Sequence, residues 1–256
     1  DFQQLLDQAP FKVQEVKFIP ISSLYGENVV SKTGKIDWYS GETLLEYLEQ
    51  VAFDHEDSSH PARFPVQQVI RPRTEAYHDF RGFAGKVASG HFNVGDEIVS
   101  LPSMQQSRIK TIEQFEKQLT TAHARESVVI TLEDEIDTSR GNMLAKKDSA
   151  PSQLKEITAH ICWMDQQKLP LGKTYLLQHG INRVKAKVQS IHHVIDVTSN
   201  RTLEDKKELG LNDIGKITLK TAQPIFADPY HINPANGAFI LVDESSNATV
   251  AVGFVE

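Results

Sequence analysis

A single cysteine, Cys162, stands among 256 residues, so no intrachain disulfide can staple this chain. That suits a reducing compartment, and the expected location is cytoplasmic. Long apolar runs are missing too. The longest reach about five residues, far short of the roughly 20 that a membrane-spanning helix needs. There is no surplus of positive charge: 27 Lys and Arg face 34 Asp and Glu, for a net charge of −7. This argues against a general polyanion binder. Local catalytic signatures are also lacking, since no GxxxxGK[ST] phosphate loop, GxSxG elbow, HExxH or CxxC occurs. The opening DFQQLLDQAP has neither the basic start nor the apolar stretch of a signal peptide. Because it begins at Asp1 rather than Met, the sequence is expected to be a piece of a longer protein.

What is present is ordinary globular composition, 39% apolar and 24% charged. Three zones follow one another. Residues 1–54 hold a strand-like run, FIPIS (18–22), and then SGETLLEYLEQV (40–51). In the second run Leu44, Leu45, Leu48 and Val51 recur at helical spacing, with Ser40 or Gly41 as the expected N-cap. DHEDSSHPAR (54–63) reads as a linker. From there the period changes from 3.6 to 2. Residues 63–150 carry FPVQQVI, GFAGKVAS, DEIVSL, SRIKTIEQF and SVVITLE, punctuated by Ser89-Gly90, Val94-Gly95-Asp96 and Arg140-Gly141-Asn142. Residues 154–256 repeat the style with EITAHICWM, KTYLLQH, RVKAKVQSIHHVI, GKITLK, GAFILVD and ATVAVGFV. Short alternating strands without helices between them suggest a closed barrel or a sandwich, and two consecutive barrels, mainly β, after a smaller α/β segment are the simplest architecture.

Few residues ask for chemistry. His192 and His193 are neighbours in one strand and point to opposite faces, so they cannot share a metal without distortion. His160 and His179 lie in other strands of the same zone. The run Glu133, Asp134, Glu135, Asp137 lacks the ligand spacing and central Gly of a calcium loop and reads as a solvated turn. Cys162 sits between Ile161 and Trp163 and reads as a small packed thiol. RPRTEAYHDFRGF (71–83) interleaves Arg71, Arg73 and Arg81 with Tyr77 and Phe80. That mixture fits a protein interface, and it equally fits a loop packed on its own barrel.

DFRGFAGKVASGHFNVGDEIVSLP (79–102) resembles the second domain of translation-factor-type GTPases, in which a V-x-x-G-D-E-[IV] segment opens a β-barrel. A narrower likeness runs through TLEDEIDTSRGNML (131–144), AHICWMD (159–165), LNDIGKITLKTAQPIFADPY (211–230) and GAFILVDESSNATVAVG (237–253). Together with FIPISSLYGENVV (18–30) and WYSGETLLEYLE (38–49), these segments resemble, in order, the large GTP-binding subunit of bacterial sulfate adenylyltransferase.

The resemblance implies that residues 1–54 are the C-terminal remnant of a GTPase domain, 63–150 barrel domain II and 154–256 barrel domain III. It implies a smaller catalytic subunit as partner, which makes adenosine 5′-phosphosulfate from ATP and sulfate while the large subunit hydrolyses GTP. It puts Ser22, Ser23 and Leu24 at the guanine-base loop, with Ser23 where the family usually has Ala. GTP and Mg2+ belong to the intact protein. The phosphate loop and the magnesium-binding element are expected upstream of Asp1, so no cofactor is expected on these residues alone. Arg71, Arg73 and Arg81 are the candidate contacts to the partner subunit. No membrane or nucleic-acid partner is expected. The alternative is an RNA-binding barrel module of a translation factor, which the negative net charge disfavours.

Overall fold

The computed structural model describes residues 2, 6, 16–51, 59–72, 80–115, 117–196, 199 and 201–256. The chain divides into two compact units, Asp1–Asp54 and His55–Glu256. Among the described residues no helix is long and apolar enough to cross a membrane.

In the first unit the helix Leu44–Gln50 follows a series of turns. Its N-cap is Thr43, not Ser40 or Gly41. Thr43 Oγ1 accepts from the Glu46 amide at 3.2 Å, and the Glu46 carboxylate accepts from the Thr43 amide at 2.7 Å. This reciprocal box satisfies two backbone donors that would otherwise be orphans. The amides of Leu44 and Leu45 donate to the carbonyls of Asn28 and Val29, both at 2.9 Å. The helix start is thereby tied to the 20s turn. FIPIS does not become a strand: among the described residues its only ladder contact is a single bridge from Ser22 to Glu27. Without a paired neighbour among the described residues, alternation alone does not make a sheet.

The second unit holds two barrels. The first is built from β1 (Arg63–Ile70), β2 (Gly82–Lys86), β3 (His91–Asn93), β4 (Glu97–Leu101), β5 (Gln105–Gln114), β6 (Lys117–Leu119), β7 (Thr121–His123), β8 (Ser127–Leu132) and β9 (Met143–Lys146). The order β4-β9-β1-β2-β8-β5 closes through β4–β5 pairing, all antiparallel, while β3 and β7 form a separate ribbon. Closure removes the exposed edges that an open sheet of this length would leave. Phe64, Val66, Phe83, Phe92, Ile98, Ile109, Ile112 and Ile130 fill its interior. Where β1 crosses β2 the register shifts after Val66, and a Cβ on Gly85 would stand 2.4 Å from the Pro65 carbonyl. Only glycine permits that approach.

The second barrel uses β10 (Ser152–Trp163), β11 (Thr174–His179), β12 (Asn182–Asp196), β13 (Arg201–Leu203), β14 (Ile214–Ala227), β15 (Ala238–Val242) and β16 (Thr249–Val255). Here β11-β15-β16-β10-β14-β12 closes through β11–β12, with β13 outside the ring. Along β10 the alternation puts Ile157, Ala159, Ile161 and Trp163 inside. Trp163 packs edge-on against Tyr175 at 5.9 Å and donates its Nε1–H to the Gln167 carbonyl at 2.7 Å. The buried ring is thus left without an orphan donor. Burial pushes the Tyr175 hydroxyl up to about 12.

Between the barrels lies a third apolar cluster, made of Val99, Leu101, Met143 and Ala145 from the first and Phe226 from the second. These side chains leave the outer wall of β4 and β9. That explains why Met143, Leu144 and Ala145 are all buried: the strand is covered on both faces.

Candidate functional site

Ser22, Ser23 and Leu24 open a tight turn in the first unit. The Ser22 amide donates to the Glu27 carbonyl at 3.1 Å, closing a loop over residues 23–26 with Gly26 at φ +68°. Ser23 is exposed, and Leu24 and Tyr25 are 81% and 61% exposed. Underneath, Glu27 is buried, and its carboxylate accepts from the amides of Thr33 and Gly34 at 3.0–3.1 Å and from the Thr33 hydroxyl. These bonds, the Thr33 hydroxyl foremost, hold the Glu27 carboxyl below its usual range. Asn28, fully buried at φ +57°, donates its side-chain amide to the Pro20 carbonyl at 3.0 Å. Glu27 and Asn28 therefore brace the turn from below, with Ser23 and Leu24 exposed above them.

The arginines divide. Arg71 is exposed at the end of β1, and Arg73 lies outside the described residues, as does Tyr77. Arg81 turns onto its own barrel: Nη1 donates to the Ile136 carbonyl at 2.7 Å and Nη2 to the Thr138 carbonyl at 2.9 Å. Its guanidinium also lies over the Phe83 ring. Burial, then the charge of Arg71, lowers the Arg81 pKa, so the two cations are neighbours. The acidic run is the segment that Arg81 holds. Ile136 and Thr138 point inward, buried, and Asp134 accepts from the Ser107 hydroxyl at 2.9 Å.

The most concentrated polar chemistry was not singled out by sequence reasoning. Arg63, the last residue of the expected linker, is only 1% exposed and begins β1. Its Nε and Nη2 donate to Asp228 Oδ2 and Oδ1 at 2.9 and 2.8 Å, a two-pronged bridge across the barrels. Asn233 and Asn236 donate to the same Asp228 Oδ2 at 3.0 and 2.8 Å. Asn233 also reaches back to the Ser89 hydroxyl at 2.9 Å and the Pro61 carbonyl at 3.2 Å. His179 places Nε2 2.9 Å from the Asn236 carbonyl, and burial lowers its pKa. A buried fork of this geometry, with further donors on the carboxylate, meets the conditions under which an ion pair offsets its desolvation. The short helix Pro234–Gly237 presents the two asparagines.

The remaining candidates are structural. His160 comes within 6.1 Å of His193, ring to ring, while His192 bonds the Thr218 hydroxyl at 2.7 Å and His179 joins the inter-barrel network. A register shift between Ile191 and His193 interrupts the strict alternation there. Cys162 is a half-buried free thiol. Among the described residues no group of three His, Cys, Asp or Glu could hold a metal ion.

Residues 156–256 match the family described as GTP-eEF1A C-terminal domain-like. Sulfate adenylyltransferase subunit 1 of Shewanella oneidensis is 43% identical over 94% of this chain and 50% of that protein. The protein of the same name from Bacteroides fragilis is 40% identical over 96% of this chain and 51% of its own length. The bifunctional enzyme CysN/CysC of Mycobacterium tuberculosis is 39% identical over 96% of this chain and 40% of its own. The chain thus spans about half the length of the curated relatives it matches. Among solved structures, sup35 complexed with GDP covers 94% of the chain at a TM-score of 0.68 and 19% identity, with 59% of that chain matched. This likeness concerns the fold, which is that of translation-factor GTPases. Over nearly its whole length the chain is similar to proteins named sulfate adenylyltransferase subunit 1, and its second unit folds as two β-barrels.

Proposed function

We propose that this chain is the transmission part of a GTP-binding sulfate adenylyltransferase subunit. In the longer protein, GTP hydrolysis drives formation of adenosine 5′-phosphosulfate from ATP and sulfate on a smaller catalytic subunit. The barrels dock that subunit and carry the nucleotide state to it. The observation that supports this most is the buried Arg63–Asp228–Asn233–Asn236 network. Relaying a state change requires an element that moves without deforming, and a charge-assisted buried network across two barrels resists independent motion.

In this reading Ser22, Ser23 and Leu24 face the guanine base through backbone N–H groups, which fits a Ser at position 23. Arg71 and Arg73 contact the catalytic subunit. Arg81 supports them by fixing the acidic loop and holding a second positive charge beside Arg71. GTP and Mg2+ bind chiefly through residues this chain does not contain, and the setting is cytoplasmic.

The test uses the 256-residue chain with the catalytic subunit. The chain alone gives no GTP turnover, and calorimetry finds a complex that Arg71→Ala weakens without lowering the melting midpoint. GTP hydrolysis by the chain, or an Arg71→Ala affinity equal to that of the parent, overturns the corresponding assignment.

A further inference from the structure

A cleft of about 220 Å³ opens between the two barrels, beside the Asp228 network. Its polar lining includes the side chains of Arg140 and Arg183, of Asn142, Asn182 and Gln223, and His179 at the wall. No carboxylate lines it. Asp228, whose charge reaches His179, is already neutralised by Arg63.

The two arginines come from different barrels. Asn182 donates to the Gly141 carbonyl at 2.7 Å, and that bond fixes their chain neighbours Arg140 and Arg183 on one rim. Gly141 sits at φ +97°, and a Cβ there would lie 2.9 Å from Asn182 Oδ1, so glycine is needed for this contact. Arg140 uses Nη1 on the Gln67 carbonyl at 3.2 Å, and Arg183 uses Nε on Gln178 at 2.9 Å. Neither is paired with a carboxylate among the described residues, although the chain carries a net charge of −7. Two guanidinium groups lining one cleft that no carboxylate lines offer a tetrahedral oxyanion the forked, charge-assisted contacts it prefers.

We infer that this inter-barrel cleft is a binding site for a small oxyanion, a phosphate or sulfate group, held by Arg140 and Arg183 with Asn142, Asn182 and Gln223. The volume is below that of ordinary drug-sized sites, which suits a small ligand. Since donors from both barrels meet the anion, its binding also clamps them together. The inference stands apart from the proposed coupling role, because it rests on the cleft alone.

The test is thermal unfolding and calorimetry of the 256-residue chain with sodium phosphate, sodium sulfate or adenosine 5′-monophosphate, at ionic strength matched with sodium chloride. A ligand that binds only the folded state raises the midpoint with concentration. The expected result is saturable stabilisation beyond that of chloride, weakened about tenfold by Arg140→Gln or Arg183→Gln, as loss of one charged fork contact implies. Arg183→Lys recovers part of the loss, and Lys168→Gln, on an exposed pair elsewhere, changes nothing. Equal binding of phosphate and the nucleotide identifies a free oxyanion as the ligand; tighter binding of the nucleotide identifies an organic phosphate. No stabilisation beyond that of chloride, or the same stabilisation in both glutamine variants with their unliganded midpoints unchanged, overturns the inference.

Discussion

Asp228 accepts four hydrogen bonds, two from Arg63 across the barrels and one each from Asn233 and Asn236 of its own barrel. Asp228→Ala removes both acceptor oxygens and leaves a guanidinium with 2% of its side chain exposed and no counter-charge. Breaking a buried pair in this way costs about 3–5 kcal/mol, to be read from denaturant midpoints. The double variant Arg63→Met, Asp228→Ala is expected to lose less than the two single losses combined, because the stranded charge is gone. Glu27 is the second residue with a clear consequence. Its carboxyl is held below the ordinary value of 4.5 by Thr33 and Gly34. A carboxyl depressed in the folded state adds stability that is fully present above the unfolded value and is lost as pH falls through the folded one. The amide resonances of Thr33 and Gly34 are therefore expected to stay fixed from neutral pH down to the ordinary carboxylate range and to shift only below it. A shift centred at or above 4.5 would contradict this.

At the scale of elements, Thr43→Ala deletes the acceptor of the capping box and is expected to cost about 1 kcal/mol in helix stability, measurable as lost protection of the Leu44–Gln50 amides. The T-x-x-E pattern of residues 43–46 was legible in the sequence, yet the polar run before it drew the expected start two or three residues too early. The long strands of both barrels were legible because each buries one face, so β10 keeps its alternation from Ile157 to Trp163 and β12 keeps it up to Val188. Strand β9 was not, since Met143, Leu144 and Ala145 are covered on both sides and carry no period. Strands β3, β6, β7 and β13 have three residues each, too few to show one. FIPIS shows the converse, an alternating run that finds no ladder. The site was less legible than the fold. Arg63 and Asp228 are 165 positions apart, and no local pattern announces a partner at that distance. Arg81 read as an interface residue because its carbonyl partners lie 55 and 57 positions away.

For the whole molecule, the account turns on whether the two barrels of His55–Glu256 behave as one body. The apolar cluster around Met143 and Phe226 and the polar network around Asp228 lie side by side between them, so separating the barrels exposes both. Under the proposed coupling role that rigidity has a use, since a relay that flexes within itself dissipates the signal. Native-state hydrogen exchange measures the point directly, because it reports the opening free energy of each strand separately. The slowest amides of β1 and β8 in the first barrel and of β10 and β14 in the second are predicted to open with one common free energy and one common denaturant slope, and to separate into two classes in Asp228→Ala. Two distinct opening free energies in the parent chain, with one barrel exchanging while the other stays protected, would contradict it.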